Sequence, residues 1–482
     1  MMDHQVNSPR GDSPAEVRQL HRELSPASAA WLDFADREPD ARQRHGFAPF
    51  ERSPLIHYPL HAWPTLVDAR RVEQMAEAAR GMARAVRSLP RRVLGGDPAR
   101  VAAFYDIDVE RAAGAIEAMS LSGDARGAIS RGDFIDTGAG LKCLELNVVA
   151  AVGGWETMLQ AMVVLGEPVV QRFIAQCGVR VKPANSLLAF FRNVLDQARG
   201  VVPWEGECNI GILLSDSDLP PPNAMEMASA FLNGQYADFL GAHGARGEIL
   251  LASYGQLEEA EGRLSLRGKR LHALLEFNAR DRLKIGGPEF VARTWSALRS
   301  RSVALFNGPA ADILDDKRNL ALLSEHQDGD LLAPEDRDAA RRFVPWTRVV
   351  APVEVTRGQE RVYLPELLAG RREELVLKLG RDFGGDSVVI GRSATTAAWD
   401  AAVAQALEQP RAWVVQEQVV SRPYHYLRSD GVVAPHTVIW GLFVMGDLFA
   451  GSMVRVGPDA DSSGVVNVQQ GAAAVGVVIE VE

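Results

Sequence analysis

Arg131-Gly-Asp133 is followed twelve positions later by Glu145-Leu-Asn147, and these residues carry the most concentrated chemistry in the sequence. Apolar and polar residues alternate with a period of two across 131–147, on either side of Thr137-Gly138-Ala139-Gly140. That pattern predicts strand, tight turn, strand. Alternate side chains of a strand share a face, so Arg131 and Asp133 project together from the first strand, and Glu145 and Asn147 from the second. Two carboxylates and an amide oxygen suit Mg²⁺, a hard cation that keeps part of its octahedron for phosphate oxygens. Arg131 would offer a planar donor fork to a phosphoryl oxygen as charge redistributes in a transition state. The same residues would also fit a surface hairpin with an ordinary salt bridge. Cys143 shares the parity of Glu145, but a small thiol in a strand reads as packing rather than catalysis.

Four weaker signals lie downstream. Glu374-Leu-Val-Leu-Lys378 ends a predicted strand in a lysine and leads into Gly380-Arg-Asp-Phe-Gly384-Gly385-Asp386-Ser387. A glycine loop lets backbone N–H groups close over phosphates, with a lysine at its root as a point charge. The loop is neither a Walker A sequence nor GxGxxG, and a plain glycine turn is its other reading. Asp315-Asp316-Lys317 opens a predicted helix over 315–325, with its aspartates favourably placed at the positive end and Lys317 as a second ammonium. In Trp413-Val-Val-Gln416-Glu417-Gln418-Val-Val, three polar residues between apolar ones would give a linker whose backbone edge pairs with adenine, or an ordinary strand. Arg455 and Asn467 would reach phosphate or metal if the last strands fold back onto the hairpin. No HExxH or other histidine spacing and no Ser-His-Asp arrangement stands out.

The elements that must position these residues follow from periodicity. Spacing of Leu, Ala, Val and Met predicts a mostly helical stretch from about 13 to 121, with Pro54, Pro59 and Pro64 marking irregular segments. After the hairpin and a further helical stretch, Asn209-Ile-Gly-Ile-Leu-Leu214 reads as a buried strand opening an α/β unit that runs to about 310. The end of the chain, 431–482, is rich in glycine and β-formers. At 482 residues the chain needs two or three packed subdomains. A net charge of −10 with no Lys/Arg block leaves no field for nucleic acid. Cys143, Cys177 and Cys208 are widely spaced and read as free thiols of a reducing compartment. Residues 1–45 lack the apolar core of a signal peptide, and Val432 to Gly446 is too short to span a membrane, so a soluble cytoplasmic protein without membrane contact is expected.

Taken together, these segments resemble the ATP-grasp superfamily, in which two lysines, a glycine-rich loop and a hinge strand hold ATP while an RxD...ExN element binds magnesium. Here that element precedes Lys317, Lys378 and the hinge, the order of the circularly permuted branch that includes glutathionylspermidine synthetase-like proteins. Leu305-Phe-Asn-Gly-Pro309 to Asp315-Asp-Lys317 is similar to that branch as well. The resemblance covers about 131–482 and implies an α/β (α+β) fold. Its parts would be a helical N-terminal region (1–130), a hairpin with helices (131–200), a small α/β pre-grasp domain (201–310) and a nucleotide-binding region (311–482). It implies ATP and Mg²⁺ as cofactors, with Asp133, Glu145 and Asn147 on the metal and Arg131 and Arg455 in catalysis. Lys317, Lys378, Gly384, Gly385, Asp386, Ser387, Gln416, Glu417 and Gln418 would bind the nucleotide. The activity implied is ligation of a carboxylate to an amine through an acylphosphate. The acid would be a small molecule, a peptide or a carrier-protein-bound group, and the oligomeric state, homo-oligomer included, stays open. The alternative is a non-catalytic nucleotide-binding scaffold. After Asn147 the chain reads Val-Val-Ala-Ala-Val-Gly153-Gly154-Trp155-Glu156, a departure from the family that points to different substrate recognition.

Overall fold

Serine and aspartate side chains start the N-terminal helices. Ser13 and Glu16 form a reciprocal capping box at Pro14–Arg22, and Ser25 caps Pro26–Arg37. Asp68, Asp97 and Asp108 accept the N–H groups that open Ala69–Arg92, Pro98–Tyr105 and Val109–Leu121. The segment around Pro54, Pro59 and Pro64 is irregular apart from the two-residue strands Gly46–Phe47 and Leu60–His61. The computed structural model describes residues 13–381, 387–458 and 474–482, so Gly384, Gly385, Asp386 and Asn467 lie outside the described residues.

The predicted hairpin is formed by Ile129–Asp136 and Leu141–Asn147, with Thr137 N–H donating to the Gly140 carbonyl across the turn. It belongs to a ten-stranded sheet whose other main members come from the far end of the chain. Val433–Met445 lies antiparallel to the first hairpin strand, placing Phe443 opposite Arg131 and Gly441 opposite Asp133. Leu448–Pro458 and Ala474–Val481 follow in turn. Thr65–Asp68, too short to stand out beside the helix it precedes, runs parallel to the closing strand. One face of this sheet packs on the N-terminal helices through Phe134, Trp440, Leu442 and Val454, joined by Met82 and Leu89 of the long helix. The apolar run that includes Val433–Met445 is thus the centre of a sheet. Among the described residues no single helix is long and apolar enough to cross a membrane.

Ile210–Leu214, Ile249–Ser253, Ala273–Glu276 and Ala304–Phe306 form a four-stranded parallel sheet. Helices Ser186–Val201 and Pro222–Ala242 pack on one face through Phe191, Tyr236 and Phe239, while Phe290 and Leu264 pack on the other. Burial on both faces explains why its first strand reads as an unbroken apolar run. A third sheet is antiparallel, built from Thr347–Val349, Leu375–Leu379, Val388–Ile390 and Trp413–Glu417, with Trp399 of Thr396–Glu408 in its core.

Two boundaries differ from expectation. The helix expected over 315–325 is Arg318–His326, preceded by a short helix, Ala311–Leu314, so Asp315-Asp316-Lys317 forms the bend between them. The cause is Asp316, whose carboxylate accepts the Arg318 N–H in a local turn ahead of the helix. The expected strand over 413–420 ends at Glu417.

Candidate functional site

The hairpin register pairs Arg131 with Asn147 and Asp133 with Glu145, so all four side chains meet on the face opposite the helical core. A register shift follows immediately, because Phe134 pairs with Cys143 and leaves Leu144 as an extra residue. The bulge breaks the two-residue parity. Cys143 turns into the hydrophobic core beside Phe134, where burial pushes its thiol pKa up, and Leu144 joins the site face instead. The parity that put Cys143 on the side of Glu145 is therefore corrected.

Arg131 donates through Nε to Asp133 Oδ1 at 2.9 Å and through Nη1 to the Val152 carbonyl at 3.0 Å. Gly441, across the sheet, leaves room for its stem, since a Cβ there would lie 3.2 Å from Arg131 Cδ. Arg455 sits opposite Ile439 on the next strand but one from the hairpin and reaches Asp133 Oδ2 at 2.8 Å. The C-terminal strands do fold back onto the hairpin.

Lys317 and Lys378 approach from outside this sheet. Lys317 Nζ lies 3.5 Å from Glu145 Oε2, and its backbone N–H donates to the Gly380 carbonyl, tying the bend to the root of the glycine loop. Lys378 donates to the Leu144 carbonyl at 3.0 Å and to Gln416 Oε1 at 2.7 Å. It thereby joins the antiparallel sheet to the bulge of the hairpin. Burial lowers its pKa to about 8, against the pull of Glu145. Burial opposes ionisation of Glu145, but Lys317, hydrogen bonding with Asp133 and the charges of Lys378 and Arg455 outweigh it and hold the carboxyl well below its usual range.

Glu417 and Gln418 are engaged locally. The Glu417 carboxylate accepts the Trp346 N–H, and Gln418 donates its backbone N–H to Glu374. Both still line the site, together with Gln416. Ser387 heads Val388–Ile390, its carbonyl accepting the Leu379 N–H at 3.4 Å.

Arg131, Asp133, Glu145, Asn147, Lys378, Arg455 and Gln416 to Gln418 border one cavity of about 1670 Å³, whose wall also includes the edge of the parallel sheet. Ile135, Leu144, Val419 and Ile439 form a small apolar cluster within that wall, next to Lys378 and Gln416. Residues that sequence reasoning missed include Arg280, which pairs with Asp315 at 2.8 Å, and Asp315 itself, which accepts the Val148 N–H just past the hairpin. Asn307, at φ 61°, exchanges two hydrogen bonds with the Ile129 backbone and clamps the start of the hairpin. In the sequence it stood out only as part of Leu305-Phe-Asn-Gly-Pro309, the segment similar to the permuted branch.

The donor set fits a hard cation. Asp133 and Glu145 face each other as cross-strand partners, and Asn147 Nδ2 lies 3.5 and 3.4 Å from their respective oxygens. Rotating that amide would present its oxygen. Two facing carboxylates need positive charge beside them, which Arg131, Arg455 and Lys317 supply on three sides. Among the described residues no group of three or more His, Cys, Asp or Glu forms a self-sufficient metal cage.

No family model and no curated protein matches the sequence. Among solved structures, a glutathione synthetase-like effector from Globodera pallida, in its apo form, matches with a TM-score of 0.50 at 12% identity, covering 94% of this chain and 93% of that one. A provisionally assigned gamma-glutamylcysteine synthetase from Methylobacillus flagellatus KT matches with a TM-score of 0.41 at 13% identity, over 82% of this chain and 88% of that one. The fold over most of the chain is therefore similar to that of a glutathione synthetase-like protein, as the resemblance to circularly permuted ATP-grasp ligases implied.

Proposed function

We propose that the protein is an ATP-dependent ligase that joins a carboxylate to an amine through an acylphosphate, releasing ADP and phosphate. The observation that carries this reading is the meeting of Arg131, Lys378 and Arg455 with two carboxylates and an amide in one cavity, where Lys317 pairs with Glu145, from segments as far apart in sequence as Arg131 and Arg455. A surface hairpin with an ordinary salt bridge has no use for such convergence. A nucleotide whose base rests on the apolar cluster near Leu144 would direct its phosphates toward Lys378, Lys317 and the arginines. Mg²⁺, held by Asp133, Glu145 and Asn147, would neutralise phosphate oxygens. Arg131 and Arg455 would stabilise charge on the transferring phosphoryl group, and the glycine loop that Lys378 leads into would keep water from the acylphosphate. No protein nucleophile is required.

The test is ADP production from ATP and Mg²⁺ across a panel of amino acids, short peptides, carrier-bound acids and amines, with an Asp133→Asn, Glu145→Gln double variant as control. Turnover that requires both an acid and an amine and disappears in the variant is expected. Equal ATP binding by both proteins with no turnover would favour a nucleotide-binding scaffold instead.

A further inference from the structure

The chain departs from its family resemblance directly after Asn147, and the structure gives that departure a shape. Gly153 and Gly154, at φ 76° and 99°, turn the chain sharply, and a Cβ on Gly154 would lie 2.6 Å from the Phe443 ring. The turn carries Glu156 into the cavity wall, 6% exposed, with Oε2 accepting the Gly154 N–H at 2.9 Å. Among the described residues Glu156 makes no ion pair, whereas Asp133, Glu145 and Asp315 each do. Arg131 holds the same loop through the Val152 carbonyl, so the arginine of the metal face and this carboxylate flank one short segment.

Beyond Glu156 the cavity wall turns apolar. Thr157 bonds Ser186, which brings the loop against Leu187 and Phe190, and Leu232, Leu251 and Phe277 continue that wall along the parallel sheet. Of the other charges on the cavity wall, Asp218 is bonded to Ser215 and Asn278, and Arg280 to Asp315, while Asp281 and Arg392 line it as well. A buried carboxylate that feels Arg131 only at a distance, backed by hydrocarbon, matches an ammonium group on an apolar body.

We propose that Glu156 receives the ammonium group of the amine substrate and accepts a proton from it, while the apolar wall behind selects an amine with a hydrocarbon or aromatic body. This rests on the ligase reading. The ammonium passes one proton to the Glu156 carboxylate, and the freed lone pair attacks the acyl carbon. The carbon–oxygen bond to phosphate then breaks, phosphate leaves with the electron pair and takes up the second nitrogen proton, and the amide remains. Burial raises the Glu156 pKa against the pull of Arg131, which suits a proton acceptor.

Binding of ethylamine, butylamine, hexylamine, phenethylamine, hexan-1-ol and spermidine to the whole protein tests this, by ligand-observed NMR with and without Mg-ADP. A fluorescent ATP analogue is titrated into the same samples. Affinity should rise about fourfold per methylene from ethylamine to hexylamine. Spermidine should bind at least tenfold more weakly than hexylamine. Glu156→Gln should weaken hexylamine at least tenfold and leave hexan-1-ol unchanged, with Glu156→Asp between the two. Equal hexylamine affinity in Glu156→Gln, spermidine binding as tight as hexylamine, or no amine binding while the ATP analogue binds would each overturn the proposal and leave the ligase reading intact. Failure of the ATP analogue with the parent would sink the ligase reading and this proposal with it.

Discussion

Lys378 gives the cavity a pH-dependent hold on phosphate. Its ammonium is buried, donates to the Leu144 carbonyl and the Gln416 amide oxygen, and has its pKa lowered to about 8 because burial disfavours the charged form. A bound polyphosphate would stabilise the charged form, so affinity is full below this pKa and falls as pH rises through it. With a pKa near 8, the charged fraction drops from ~0.9 at pH 7 to ~0.1 at pH 9. If only charged Lys378 binds phosphate well, ATP affinity falls about tenfold across that span, equivalent to about 1.4 kcal/mol. Titrating a fluorescent ATP analogue at pH 7, 8 and 9 and constant ionic strength measures this. Lys378→Arg, charged throughout, should bind with a flat profile, and Lys378→Met should bind weakly at every pH. A flat profile in the parent, or the parent's slope reproduced in Lys378→Arg, would refute the assignment of Lys378 to the phosphates.

Other outcomes follow from the same geometry. Asp316→Ala would strand Arg318 and Arg381, both paired with it, and should cost about 3–5 kcal/mol in urea unfolding. Gly441→Ala would push a methyl group against the stem of Arg131, so kcat should fall about tenfold while the melting temperature moves little. Gly154→Ala forces a side chain into positive φ and into Phe443, and should lower stability by about 1–3 kcal/mol in the same unfolding assay. Brief iodoacetamide treatment of the native protein should alkylate exposed Cys177 and spare buried Cys143 and Cys208, as read by peptide mass spectrometry.

The hairpin was legible because period-two alternation and a Gly-rich turn are local signals, and its four polar side chains do meet on one face. Cys143 shows where that reasoning stops: a one-residue bulge inverts parity and has no signature in the residue types alone. Lys317 was expected in the first turn of a helix as a second ammonium, and it reaches Glu145 from a bend instead, which Asp316, buried between two arginines, fixes. The placement of Glu156, named only as part of the departure after Asn147, and that of Arg280 were hidden for a related reason. Their roles depend on a glycine-made turn and on a contact between two sheets, and neither leaves a spacing pattern. The resemblance supplied the order of the motifs, whereas the apolar wall along the parallel sheet emerged only when residues near 187, 232 and 277 came together.

The pairing of the hairpin with Val433–Met445 also sets a timetable for synthesis. Ile129–Asp136 leaves the ribosome roughly 300 residues before the strand that lies against it, a delay of about 15–60 s at ordinary elongation rates. During that interval one edge of the hairpin has exposed backbone N–H and C=O groups, next to a core of N-terminal helices that still lacks its sheet. The parallel sheet, whose strands all lie between residues 210 and 306 and pair only with one another, can form its ladder meanwhile, although one face of its core still waits for Phe443, Met445 and Ala450. Nascent chains arrested before residue 433 should therefore protect the parallel unit from proteolysis while the hairpin stays cleavable, and the cavity closes only when the final strands arrive.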